Sequence, residues 1–171
     1  MATAGHLVRR FFGSLWPGGP SPSADEWARS HMVAGEVELW RQMPGPDRRH
    51  AVGVARRVEV ALGHEATRPV LAAALLHDVG KTVSGLRTFG RVVATVSGRV
   101  ATGYARAWSN QTGFTRKVGL YLRHPDLGGD LLALAGSDPL TVAWTREHHL
   151  PEDRWSLDPH IAGALKAADD D

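Results

Sequence analysis

Cysteine is absent from the 171 residues of this chain. This absence excludes a disulfide framework and thiolate ligation of a metal, so any bound metal ion must be held by histidine and carboxylate side chains. Nine histidines and 18 acidic residues supply such groups. A chain without cysteine is also what we expect of a cytoplasmic protein.

Long apolar runs are missing as well. No stretch reaches the roughly 18 apolar residues that a membrane-spanning helix needs, and residues 6–16 lack the apolar core of a secretory signal. Because those residues are basic and aromatic, they form either a short helix packed on its own domain or a peripheral contact with a membrane. Residues 17–22, rich in Pro, Gly and Ser, indicate a linker. We therefore expect an N-terminal segment, residues 1–24, and a single domain, residues 25–171.

Acidic residues are absent between Asp78 and Asp126. The interval contains only cations as charged residues: Lys81, Arg87, Arg91, Arg99, Arg106, Arg116, Lys117 and Arg123. Since the net charge of the whole chain is only +2, this local excess favours an anionic partner. Apolar spacing predicts an amphipathic helix over residues 86–108, whose arginines either face solvent or help to hold a phosphate. No recognition motif points to nucleic acid, so we do not expect that partner.

Helical periodicity in the other segments predicts an all-α bundle. The apolar residues 69–76 predict a buried helix, which Gly80 is expected to end by taking a left-handed or otherwise irregular backbone. One helix is predicted from residue 25 to about residue 43. Asp47 is predicted to cap the next helix, which extends to Leu62.

Polar groups interrupt the apolar faces of three predicted helices. They are His50, the adjacent pair His77 and Asp78, and Asp169. A lone inward histidine is most often a core residue with its hydrogen bonds satisfied. Burying three unrelated groups of this kind would cost several kcal/mol each, whereas convergence on a divalent cation satisfies them all. Imidazole and carboxylate donors suit Mn, Fe, Co, Ni, Zn or Mg.

A second group of histidines lies in residues 124–149. His124 precedes a proline at a helix junction, where its imidazole can turn into a cleft. His148 continues the apolar stripe of a helix that Asp138 is predicted to cap, and His149 is adjacent.

In their order these motifs resemble the HD superfamily of metal-dependent phosphohydrolases, over residues 44–171. The pair His77 and Asp78 followed by Gly80 and Lys81 carries the resemblance, together with the early His50 and the late Asp169. The element His-Pro-Asp-x-Gly at residues 124–128 and the double histidine at 148–149 are similar to the HD-GYP branch. The resemblance implies a first metal ion held by His50, His77, Asp78 and Asp169, and a second held by Asp78, His124, His148 and His149.

The resemblance also implies an activity, the hydrolysis of a phosphomonoester or phosphodiester of a nucleotide-like substrate by a metal-bound hydroxide. Asp78 and Lys81 are then the catalytic residues, and Lys81 contacts the substrate phosphate. Arg87 is a further candidate for that contact, because guanidinium groups pair bidentately with phosphate oxygens. The double histidine is followed by Leu150, not by the Glu and the Gly-Tyr-Pro loop of the HD-GYP branch, so cyclic-dinucleotide specificity is not carried over. One alternative is a catalytically weak metal-binding module that senses a nucleotide. Another is a membrane- or nucleic-acid-associated adaptor in which the His and Asp residues are structural.

Overall fold

The computed structural model describes residues 18–86 and 104–171. Within these ranges the chain forms α-helices, two short 3-10 segments and turns, with no strand, which confirms the predicted all-α fold. The helices are α1 Pro22–Ser30, α2 Ala34–Gln42, α3 Gly45–Leu62, α4 Arg68–Leu76, α5 Lys81–Ser84, α6 Ala105–Ser109, α7 Gly113–Leu122, α8 His124–Leu134, α9 Pro139–Glu147 and α10 Pro159–Asp170. None of them has the combination of length and apolar composition that crossing a bilayer requires.

Helix α4 is the centre of the bundle. Every residue from 70 to 76 is buried, and α3, α9 and α10 pack against or next to this helix. The two largest fully buried side chains, Trp40 and Trp144, fill the same core. Because α4 ends at Leu76, the pair His77 and Asp78 emerges directly from the most apolar element of the fold.

The single helix predicted over residues 25–43 is wrong, because the structure has two helices there. Val33 is extended, with φ −77° and ψ 164°, and its N–H donates a 2.8 Å hydrogen bond to Oε2 of Glu36. A side chain that satisfies a backbone donor in this way starts a new helix. The apolar periodicity continues across the break, so a pattern of spacings does not detect it.

The predicted capping role of Asp47 is also wrong. Helix α3 begins at Gly45, with Pro44 at the N-cap position and no side-chain capping bond, and Asp47 lies inside the first turn. Pro46 accounts for the earlier start, since its fixed φ suits the first turn of a helix and its missing N–H is not needed there. The Asp47 carboxylate still faces the positive end of the helix dipole.

The prediction that Gly80 ends the buried helix with a left-handed or otherwise irregular backbone is wrong, because α4 already ends at Leu76. Gly80 has a φ of −63° and a ψ of −17°, which are right-handed helical. Its lack of a side chain matters for a different reason, because a Cβ there would lie 2.0 Å from the carbonyl oxygen of His124 and 2.6 Å from the backbone N of Gly128. The glycine thus permits α8 to cross directly over the turn that carries His77 and Asp78.

Two predicted segments lie outside the described residues in whole or in large part. The proposed helix over residues 86–108 is described only from residue 104, where α6 covers Ala105–Ser109. Arg87, with its predicted substrate contact, and the basic aromatic residues 6–16 are outside the described ranges.

Candidate metal centre

Seven predicted ligand residues come together at the C-terminal end of α4, and we call them the His/Asp cluster. Their sources are α3 for His50, the turn after α4 for His77 and Asp78, the start of α8 for His124, the turn after α9 for His148 and His149, and the last turn of α10 for Asp169. The cluster therefore joins residues from three helices and two turns.

The first half of the cluster contains His50, His77 and Asp169. Oδ1 of Asp169 lies 3.2 Å from Nε2 of His50 and 3.4 Å from Nε2 of His77. His77 and Asp169 are buried, and the side chain of His50 is 28% exposed. Each of the three residues offers one ligand atom within 4.8 Å of the other two.

The second half contains Asp78, His124, His148 and His149. Oδ1 of Asp78 lies 3.4 Å from Nε2 of His124 and 3.8 Å from Nε2 of His148, and the ring centroids of His148 and His149 are 4.0 Å apart. The four ligand atoms again lie within 4.8 Å of one another. Oδ2 of Asp78 is 3.5 Å from Nε2 of His77, so one oxygen of this carboxylate faces the second half and the other faces His77. The group of His50, His77 and Asp169 does not itself include Asp78, which the sequence predicts as a ligand of the first ion.

Three of the imidazoles are held in the same tautomer. In each of them Nδ1 bonds to the carbonyl oxygen three residues earlier, and because a carbonyl only accepts, Nδ1 must carry the hydrogen. The bonds are His77 to Ala74 at 2.9 Å, His124 to Tyr121 at 2.7 Å and His148 to Thr145 at 2.9 Å. This leaves the Nε2 atom of each ring as the atom that faces the cluster, and orientation by a backbone carbonyl is what metal-ligating histidines show.

The three Nε2 atoms are buried without a hydrogen-bond partner. For the neutral rings of His124 and His148 an unsatisfied Nε2 costs about 1–3 kcal/mol each, whereas Nε2 of His77 lies 3.4 Å from Asp169 and 3.5 Å from Asp78. The separations fit a cation, because two ligands at about 2.0–2.2 Å from one ion lie about 2.8–3.1 Å from each other in octahedral and about 3.3–3.6 Å in tetrahedral geometry. The measured nitrogen–oxygen separations run from 3.2 to 3.8 Å, so the residues present fit divalent metal ions after a small contraction.

The charges of the first half also indicate a cation site. Burial lowers the pKa of His77, but the carboxylates of Asp78 and Asp169 outweigh burial and raise this pKa to about 10. Burial raises the pKa of Asp169, yet His77 and His50 hold it well below its usual range. In the metal-free protein a proton on His77 therefore supplies the positive charge between two carboxylates.

The histidines of the second half are neutral at pH 7. Burial lowers the pKa of His124 and of His148, the latter strongly. Desolvation by the surrounding protein, together with His124, lowers the pKa of His149 to about 4. Neutral imidazole is the form that binds a metal ion, so these side chains need lose no proton to do so.

Lys81 forms an ion pair with Oδ2 of Asp78. Burial lowers the pKa of Lys81, but the Asp78 carboxylate raises it more, while Lys81 and His77 hold the pKa of Asp78 well below its usual range against the effect of burial. The ammonium group lies 5.9 Å from the ring centroid of Tyr121. A permanent positive charge thus stands beside the carboxylate that joins the two halves.

Two residues that support the cluster were missed from the sequence. Arg57, two turns after His50 on α3, donates hydrogen bonds of 3.0 and 2.7 Å to the carbonyl oxygen of Ala168 and so fixes the turn that carries Asp169. Tyr121 supplies the carbonyl that orients His124. Both act on or through backbone carbonyls, for which a side-chain motif gives no signal.

The other histidines of the described domain lie away from the cluster. Nδ1 of His31 donates to the carbonyl of Trp27 at 2.8 Å, and His160 lies 3.6 Å from Glu65 on the surface. His64 is exposed in a 3-10 turn after Gly63, whose φ of 53° ends α3.

No family model, curated protein or solved structure matches this chain. The geometry and chemistry of the His/Asp cluster are therefore the basis on which a function is argued.

Proposed function

We propose that the His/Asp cluster is a binuclear metal centre and that the protein is a phosphohydrolase of the HD type. The substrate would be a phosphomonoester or phosphodiester of a nucleotide-like compound. The observation that carries this proposal is the position of Asp78, of which one oxygen faces the second half of the cluster and the other faces His77, while three buried Nε2 atoms have no hydrogen bond. A single structural ion pair would not need five histidines around two carboxylates.

A pair of divalent ions would supply an activated water nucleophile and positive charge against the phosphoryl oxygens. The chain contributes the rest. Asp78 joins the two ligand sets, and the backbone carbonyls of Ala74, Tyr121 and Thr145 keep three imidazoles in the required tautomer. Because imidazole nitrogen suits transition metals better than Mg, the five histidines favour Mn, Fe, Co, Ni or Zn as the bound ion.

Lys81 would contact the substrate phosphate. Its side chain is 16% exposed and its ammonium group contacts Asp78, so it lies at the edge of the cluster. A fixed positive charge at that place would offset the negative charge that develops on phosphoryl oxygens during hydrolysis. His50 and His149 are the cluster residues that reach solvent most, and a substrate would enter on their side.

The test is hydrolysis of p-nitrophenyl phosphate, bis(p-nitrophenyl) phosphate and a nucleotide panel, with Mn, Fe, Co, Ni, Zn and Mg added separately. We expect turnover that a chelator removes and that Asp78→Asn reduces to the chelated level. Asp153→Asn, which changes an exposed aspartate, is the matched control and should leave the rate unchanged. A protein that binds metal and nucleotides but hydrolyses none of these esters would be a sensing module, and that result would overturn the catalytic proposal.

A further inference from the structure

One part of the surface combines exposed aromatic rings with cations. Residues 110–117, which end α6 and begin α7, are eight consecutive exposed residues. Phe114 within this run is 54% exposed, and Tyr104, just before α6, is 64% exposed. Helices α6 and α7 pack against each other, so both rings belong to one pair of helices.

The cations of this helix pair have no acidic partner. Arg106, Arg116 and Lys117 are exposed and form no ion pair within the described residues. Four of the five exposed cations elsewhere in the described residues do form one, Arg154 being the exception. The pairs are Arg41 with Glu38, Arg56 with Glu59, Arg68 with Glu36 and Arg146 with Asp130.

Helix stability does not account for Arg116 and Lys117, whereas Arg106 lies in the last turn of α6, where a cation is favourable. Helix α7 has no acidic residue in its first turn, and its N-cap residue Thr112 makes no side-chain capping bond. Positive side chains close to a helix N-terminus are electrostatically unfavourable, because that end of the helix is already positive. Arg116 and Lys117 thus add charge where the fold gains nothing from it, which indicates that an external anion is what they meet.

We propose that Tyr104, Arg106, Phe114, Arg116 and Lys117, the basic–aromatic surface, docks on a membrane that contains anionic lipids. Aromatic rings beside arginine and lysine suit the boundary between headgroups and acyl chains, where the ring is buried and the cation meets phosphate. A small soluble anion would not require the exposed rings. The sequence also suits an anionic membrane, because residues 1–24 and 79–125 contain no Asp or Glu.

The surface lies close to the His/Asp cluster without being part of it. From Phe114 to the last residue of α7, Leu122, a helix rises about 12 Å, and His124 follows two residues later. Helix α5, which begins with Lys81, packs against α7. Membrane docking would therefore hold the cluster near the lipid headgroups, although the docking itself does not depend on the proposed hydrolase activity.

The first test measures binding of the full chain, as purified, to vesicles by co-sedimentation. We expect binding to phosphatidylcholine vesicles that contain about one third phosphatidylglycerol, and much weaker binding to phosphatidylcholine alone. The double variant Arg116→Gln, Lys117→Gln should bind about 30-fold more weakly, as two lost cations near an anionic surface imply. Arg41→Gln with Arg56→Gln, which changes the net charge equally on another face, should stay within about threefold of the unmodified chain.

A second test uses the absence of cysteine from the chain. The variants Phe114→Cys and Leu134→Cys each give one site for an environment-sensitive fluorophore, and Leu134 is 87% exposed on α8. We expect anionic vesicles to shift the emission of the label to the blue at position 114 and to leave the label at position 134 unchanged. Because both side chains are exposed, neither change should disturb the fold, and circular dichroism checks this.

Several results would overturn the proposal. The first is equal binding of the chain to neutral and anionic vesicles. The second is that Arg116→Gln, Lys117→Gln binds anionic vesicles fully, or loses no more binding than Arg41→Gln with Arg56→Gln. The third is that anionic vesicles do not shift the emission of the label at position 114. Retention on single-stranded RNA without binding to vesicles would also overturn it and would identify nucleic acid as the anionic partner.

Discussion

Replacing His148 by leucine should leave the stability of the metal-free protein nearly unchanged. The residue is 1% exposed, and its Nε2 atom is buried without a hydrogen bond; removing such an atom relieves about 1–3 kcal/mol. The substitution also removes the hydrogen bond from Nδ1 and leaves the buried carbonyl of Thr145 without a partner, which costs about 1–3 kcal/mol as well. The two effects nearly cancel, so the Tm of the metal-free protein should change by less than about 2–4 °C, the shift that about 1 kcal/mol produces in a domain of this size.

The same variant should respond less to metal. An ion present at about 100 times its Kd stabilises a protein by about 2.7 kcal/mol, which corresponds to about 5–11 °C in Tm. His148→Leu keeps the first half of the cluster and loses a ligand of the second, so we expect the metal-induced rise in Tm to fall by about half. The assay is thermal unfolding of chelator-treated protein, with and without added Zn or Mn.

His31→Leu is the matched control for His148→Leu. His31 also donates through Nδ1 to a backbone carbonyl, at 2.8 Å, but it lies outside the cluster. This control should lose stability without metal and keep the full metal-induced rise in Tm. If His148→Leu instead lowers the Tm of the metal-free protein by several degrees and leaves the metal response intact, His148 is a structural core residue and the reasoning fails.

Two other perturbations follow from the same geometry. Gly80→Ala places a Cβ 2.0 Å from the carbonyl oxygen of His124 and should cost roughly 1–3 kcal/mol and weaken binding of the second ion. Gly163→Ala, which places a Cβ in open space on α10, should instead stabilise the protein by about 0.5–1 kcal/mol. Thermal unfolding and metal titrations of both variants check this. Metal binding at pH 8 should release about one proton, because the pKa of His77 is about 10 without metal and the ligand must be unprotonated. The affinity for metal should then rise with pH up to about 10. Calorimetry checks the proton release, and the same heat of metal binding in buffers of different ionisation enthalpy would contradict it.

The membership of the cluster could be predicted from the sequence. His50 and Asp169 are separated by 119 positions, yet they lie 3.2 Å apart, and each falls on the apolar face of its own helix. Helical periodicity determines which side of a helix faces the core, so polar residues on such faces of neighbouring helices tend to meet. The ordered motif supplied the remaining members.

Local geometry was harder to predict. The break between α1 and α2 depends on the hydrogen bond from Val33 to Glu36, and the role of Gly80 depends on how closely α8 approaches it. The hydrogen bonds that orient His77, His124 and His148 depend on where each helix ends. A helix leaves carbonyl oxygens without an N–H partner only in its last turn, and these are the oxygens to which the imidazoles bond. Such features arise from tertiary contacts and from helix termini, which residue spacing does not encode.

The most direct measurement is an anomalous difference map from crystals of the protein grown with Mn²⁺. The proposed centre requires two peaks about 3.5–4 Å apart, with one oxygen of Asp78 on each, Nε2 of His77 on one and Nε2 of His124 and His148 on the other. A map without a peak in contact with Asp78, in protein that is folded and was never exposed to chelator, would contradict the metal centre and with it the proposed function.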